Sequence, residues 1–155
     1  MDGVLSALIA VIGTLLGAGL THLFQRSAST RDQEFIAQQQ LRSERMTVYS
    51  NFAGALNDYR RGQLDRWHRK NEDPGSSAHV DARIESYQLR GLALHALFRV
   101  QLIASGQTLI DAARDAFAHA SNLHKAFDKV DLASRGAHAR EVLEQFIALA
   151  SSDVR

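Results

Sequence analysis

Apolar positions run from Val4 to Phe24 as VLSALIAVIGTLLGAGLTHLF, with no formal charge inside the run. A helix needs ~20 such residues to cross a bilayer, so the pattern predicts a membrane span. A cleaved signal peptide fits less well: it needs a basic start and a shorter apolar stretch, and here the only charged side chain before the run is Asp2. Arg26, Arg31, Arg42 and Arg45 follow the run. The positive-inside bias therefore sets the N-terminus outside and the C-terminal portion in the cytoplasm, as a single-pass protein of the plasma membrane.

Beyond the span the pattern turns polar, then amphipathic with helical spacing. RDQEFIAQQQLRSER reads as a stalk behind the capping cluster Ser27 to Thr30, which permits either a straight rod or a hinge. Tyr49, Phe52, Leu56, Tyr59 and Trp67 then recur every three to four residues, flanked by Met46, Val48 and Leu64, and predict one buried face. NEDPGSS at 71–77 is the clearest turn. A second helix, about 79–104, carries Ile84, Tyr87, Leu89, Leu92, Leu94, Leu97, Phe98, Val100, Leu102 and Ile103 on nearly every side, which marks it as the central one. Arg90, His95 and Arg99 argue against a second span, since a charge at mid-bilayer costs about 2.5–3.5 kcal/mol. Ser105 and Gly106 end it. A third helix follows with Leu109, Ala113, Ala116, Phe117, Ala120, Leu123 and Phe127, and a fourth spans about 134–150. The fold class predicted is all-α: an anchor at 1–25, a helical stalk at 26–45, and an antiparallel helical bundle at 46–155.

Composition narrows the chemistry. A chain of 155 residues leaves one modest domain after the anchor. The absence of cysteine excludes disulfides and thiolate metal sites, and a net charge of +1 gives no global attraction to polyanions. The seven histidines show no HExxH and no Glu-x-x-His pair, with His119 and His124 five apart, so no metal site is expected. No nucleophile elbow, P-loop or glycine-rich nucleotide fingerprint occurs either, and the chain reads as a non-enzyme without cofactors.

Two patterns suggest binding. Gly13 and Gly17 form a GxxxG pair, extended by Ser6 and Ala10 on nearly the same face, and small residues at this spacing let transmembrane helices self-associate. In YRRGQLDRWHRK, Arg60, Arg61, Arg66, Arg69 and Lys70 surround Trp67, a combination that nucleic-acid binders use to hold phosphate and stack bases. Asp58 and Asp65 lie on the same helix within ion-pairing reach, so a solvated charged face is the favoured reading of this run. A helix continuous from Thr30 would carry the cluster ~60 Å from the bilayer, beyond the reach of headgroups.

IAVIGTLLGAGLTHLFQR at 9–26, FAGALNDYRRGQLDRWHRKNEDP at 52–74 and HALFRVQLIAS at 95–105 resemble the KilB-type plasmid transfer and spread proteins of mycelial actinomycetes. The resemblance implies a membrane protein encoded with conjugative elements, harmful when unregulated, that helps plasmid move between compartments of a recipient mycelium. It supplies no catalytic residues. The expected function is a self-associating membrane scaffold, a homo-oligomer that engages plasmid-transfer proteins. The alternative is a membrane-tethered nucleic-acid binder using the Arg60 to Lys70 cluster.

Overall fold

The computed structural model describes the backbone from Asp2 to Arg155 and the side chains from 33 onward. The anchor at 4–24 and its self-association residues Ser6, Ala10, Gly13 and Gly17 therefore lie outside the described side chains. Among the described residues no helix is long and apolar enough to cross a membrane. The chain divides into two compact units, Met1–Leu41 and Arg42–Arg155. In the first, Phe35, Ile36 and Leu41 are exposed on helix.

The described residues are helical throughout: α1 (Asp2–Glu72), α2 (Ser77–Ile103), α3 (Gln107–Ser121), a 3-10 turn (Leu123–Lys125) and α4 (Lys129–Asp153). In the second unit α1 buries the predicted stripe, with Val48, Tyr49, Phe52, Leu56, Tyr59 and Trp67 all removed from solvent. Met46, expected to flank it, is exposed. Phe146 of α4 packs edge-on against Phe52 at 4.9 Å and Tyr49 at 6.2 Å between ring centroids. Phe117 of α3 stacks on Tyr59 at 5.6 Å. Toward α2, a Cβ at Gly62 would lie 2.6 Å from Leu89 Cδ1, so glycine allows α1 and α2 to approach closely. All three partner helices thus touch α1, and each fully buried aromatic ring there contributes about 1.5–3 kcal/mol.

The central helix is consequently α1, not α2 as the hydrophobic count predicts. The buried residues of α2 are Ala82, Ser86, Ala93, Ala96, Leu97 and Val100, mostly small, while Ile84, Tyr87, Leu92, Phe98 and Leu102 are exposed. Two boundaries also differ. The third helix ends at Ser121, leaving Phe127 exposed in the following loop, and α4 begins at Lys129 instead of near Ser134. Asp128 caps α4 by accepting the Asp131 amide at 2.7 Å, satisfying a donor that the first turn would leave unpaired. Ser76 does the same for α2 by accepting from the His79 amide at 3.2 Å.

Polar side chains close the two ends of the bundle. At one end Tyr49 Oη donates to Asp153 Oδ2 at 2.6 Å, the Ser105 hydroxyl donates to Oδ1, and Arg45 Nε lies 3.7 Å from the carboxylate. The same Nε donates to the Ile103 carbonyl at 3.1 Å, tying α1 to the C-terminus of α2. At the other end Trp67 Nε1 donates to the Ala126 carbonyl at 2.7 Å. Between them Gln63, buried in the core, donates to Tyr59 Oη at 2.8 Å.

Candidate functional site

Antiparallel hairpins bring together residues equidistant from their turn. The loop between α1 and α2 is centred near Pro74 and Gly75, so Lys70 meets His79 and Arg66 meets Arg83. His124, on the 3-10 turn, completes a cavity of about 220 Å³ lined by these five basic residues, with no carboxylate in its wall. Among the described residues none of Arg66, Lys70 and Arg83 forms an ion pair. The Arg66 guanidinium is instead held over the Tyr87 ring, 5.4 Å from its centroid. His79 Nδ1 lies 2.9 Å from the Pro74 carbonyl, which orients the ring. His124 Nδ1 is buried without a hydrogen-bond partner. Burial lowers the His124 pKa; Arg66, Lys125 and Lys70 lower it further, and the Ser121 carbonyl opposes them.

The basic run at 60–70 is therefore not one surface. Arg61 pairs with Asp58 at 3.8 Å, and Arg69 with Asp65 at 3.5 Å and Glu72 at 3.4 Å, all exposed. Arg60 turns toward α4 and lines a separate 410 Å³ cavity with Leu64, His68, Lys129, Leu132 and Arg140. Burial lowers its pKa, and Arg140 lowers it further. Only Arg66 and Lys70 enter the five-residue pocket. His79, Arg83 and His124 do not stand out in the sequence, although the symmetry about the NEDPGSS turn was signal enough to pair two of them with the run.

His119 and His138 meet across α3 and α4 with ring centroids 4.4 Å apart, beside Asp115 and Glu141 respectively. Among the described residues no group of three or more His, Asp or Glu side chains converges to hold a metal ion.

The second surface feature belongs to α2. Val80, Ile84, Tyr87, Phe98 and Leu102 are exposed, Leu102 to 86 %. At 3.6 residues per turn they fall within roughly 60° of arc, opposite the buried face, and extend about 33 Å along the helix. The helix thus has two apolar faces, and the bundle covers one.

No curated protein and no solved structure matches this chain. Residues 46–154 match the family described as KilB plasmid transfer protein, a span that includes the quoted stretches at 52–74 and 95–105. With more than half of its length inside that match, the chain belongs to the KilB plasmid transfer protein family, and its role is related to plasmid transfer.

Proposed function

We propose that the protein is a non-enzymatic, membrane-anchored scaffold that self-associates and presents its helical bundle to plasmid-transfer proteins. The observation that carries the reading is the second apolar face of α2, because a long exposed apolar stripe on a small domain marks an interaction surface. Its pattern is complementary to itself. An antiparallel pairing about Gly91 sets Val80 opposite Leu102 of a second copy and Ile84 opposite Phe98. In that register Arg99, which has no ion-pair partner among the described residues, stands between the levels of Asp81 and Glu85 of the second copy, on the same flank. Arg90, which would approach its own equivalent, is drawn aside over the Phe117 ring, 5.8 Å from its centroid. A two-fold contact needs this kind of self-complementary patch. The anchor supplies the second association element through Gly13, Gly17, Ser6 and Ala10.

Crosslinking of the full-length protein in native membranes tests the reading. Discrete oligomers are expected for the wild type, reduced by Gly13→Ile with Gly17→Ile and separately by Phe98→Glu with Leu102→Glu. A monomeric wild type, or oligomers indifferent to both pairs of substitutions, overturns it. The nucleic-acid reading ranks second: two of its five cations are ion-paired, and Arg66 and Lys70 face a small pocket instead of an open groove.

A further inference from the structure

We propose that the pocket formed by Arg66, Lys70, His79, Arg83 and His124 binds a phosphate-class dianion, either free inorganic phosphate or the terminal phosphate of a small phosphomonoester. The inference stands apart from the scaffold reading and uses a different face of the bundle.

Three elements are needed to build the pocket. Lys70 and Arg66 come from α1 one turn apart, His79 and Arg83 from the facing turn of α2, and His124 from the 3-10 turn. Three permanent cations gathered around one small cavity repel one another, and the fold places no acid in the wall to offset them. On the same helix Arg61 is neutralised by Asp58 and Arg69 by Asp65 and Glu72, whereas Arg60, beside Lys129 and Arg140, lines the other cavity without a carboxylate. The pocket differs from that cavity in its lining, which is basic throughout, where Leu64, Leu132, Ala133 and Ala137 make the other largely apolar. A ligand with two negative charges supplies what the wall omits, and guanidinium groups match tetrahedral oxyanions through paired N–H donors.

His124 responds to the same charges. Its ring lines the pocket, and burial first, then Arg66 and Lys70, disfavour its protonated form. An anion in the pocket would favour the protonated ring and reverse the influence of Arg66 and Lys70 on it. Size sets the ligand class. About 220 Å³ falls below the roughly 300 Å³ at which ordinary small-molecule sites begin, so the pocket encloses a phosphate group and leaves any organic body outside.

Sulfate is the probe of choice, being a dianion of similar shape whose charge is constant between pH 5 and 8. Full-length protein in detergent would be titrated with sodium sulfate against sodium chloride at equal ionic strength, following the thermal midpoint and the heat of binding. The expected result is a saturable stabilisation absent with chloride, with affinity reduced at least tenfold by Arg66→Gln and by Arg83→Gln. A variant carrying Arg61→Gln and Arg69→Gln removes more charge from the ion-paired cations outside the pocket and should bind like the wild type. A linear, non-saturating rise would be the general exclusion effect of sulfate and overturns the proposal, as does equal loss in the ion-paired control. Inorganic phosphate and a nucleoside monophosphate then distinguish the sources: tighter binding of either names the ligand within the class. A short DNA duplex that binds through Arg66 and Arg83 but is not displaced by sulfate overturns the small-anion site and revives the nucleic-acid reading. Far-UV circular dichroism of Arg66→Gln and Arg83→Gln, the first half-buried and the second exposed, confirms that a lost response is not lost folding.

Discussion

Asp153 is three residues past the last buried side chain of α4 but sits among groups of α1 and of the loop after α2, so its charge is a tertiary element. Burial pushes its carboxyl pKa up; the hydrogen bonds from Ser105 and Tyr49 and the charge of Arg45 outweigh that and hold it below the usual carboxylate range. A folded-state pKa below the unfolded one gives stability that is present above about pH 3.9 and lost as the pH falls through the folded value. Asp153→Asn removes the charge while keeping the shape. It is expected to cost about 1.5–3 kcal/mol at pH 7, typical of hydrogen bonds to a charged group. Urea titrations from pH 7 to pH 2 should find the two proteins converging in acid; a constant difference would show that the cost is packing and not charge. The same contact acts in reverse on Tyr49, whose pKa is raised by burial first and by Asp153 next, so its share of stability holds below pH 10 and is lost above it. None of this was legible in the sequence. The aromatic stripe from Tyr49 to Trp67 was, because helical spacing reports burial; Gln63, one turn from Tyr59, was not, because glutamine between charged neighbours carries no sign that Tyr59 Oη will accept its amide.

At the scale of elements, the reading failed where hydrophobicity was abundant and where it was broken. The apolar residues of α2 surround the helix, and an all-round apolar helix normally means a buried one. What decides the matter is residue size: Ala82, Ala93 and Ala96 face the core because α1 comes close, as Gly62 against Leu89 shows, and the bulky residues are left outside. The fourth helix fails differently. Its first turn, Lys129 to Leu132, buries only Leu132, so periodicity begins late, and the boundary rests on the cap at Asp128. Asp131, which takes Arg135 Nε at 2.8 Å and the Phe127 amide at 3.2 Å, reinforces the same turn; its pKa is lowered chiefly by the Arg135 hydrogen bond. Asp128→Ala should therefore destabilise the protein by about 1 kcal/mol, measured by chemical unfolding, and accelerate amide exchange selectively at the start of α4. Uniform acceleration across all helices would assign the loss to the whole fold and not to the cap.

For the whole molecule the useful fact is where the core is drawn from. Its buried residues run from Val48 to Ala150, and the polar closure that begins at Arg45 lies wholly in the second unit, Arg42–Arg155. The sequence made the division legible as a change from apolar to polar to amphipathic patterning, and the family match begins at residue 46, within a few residues of the same border. A chain shortened to begin at Arg42 therefore keeps every core residue and both end closures. It should fold alone, with far-UV circular dichroism of a helical protein and a single calorimetric transition. Its 114 residues, 155 less 41, set the expected enthalpy near 80 kcal/mol at about 60 °C and the heat-capacity change near 1.5 kcal/mol/K. A ratio of calorimetric to van't Hoff enthalpy close to one would establish the bundle as one cooperative unit. A broad transition of low enthalpy would mean that residues before Arg42 complete the fold. The same shortened chain also separates the two association elements, because it lacks Gly13 and Gly17 but retains the second face of α2. If that face is an interface between copies, the shortened chain dimerises weakly and Phe98→Glu with Leu102→Glu makes it monomeric by analytical ultracentrifugation. A shortened chain that is monomeric at every concentration leaves association to the anchor alone.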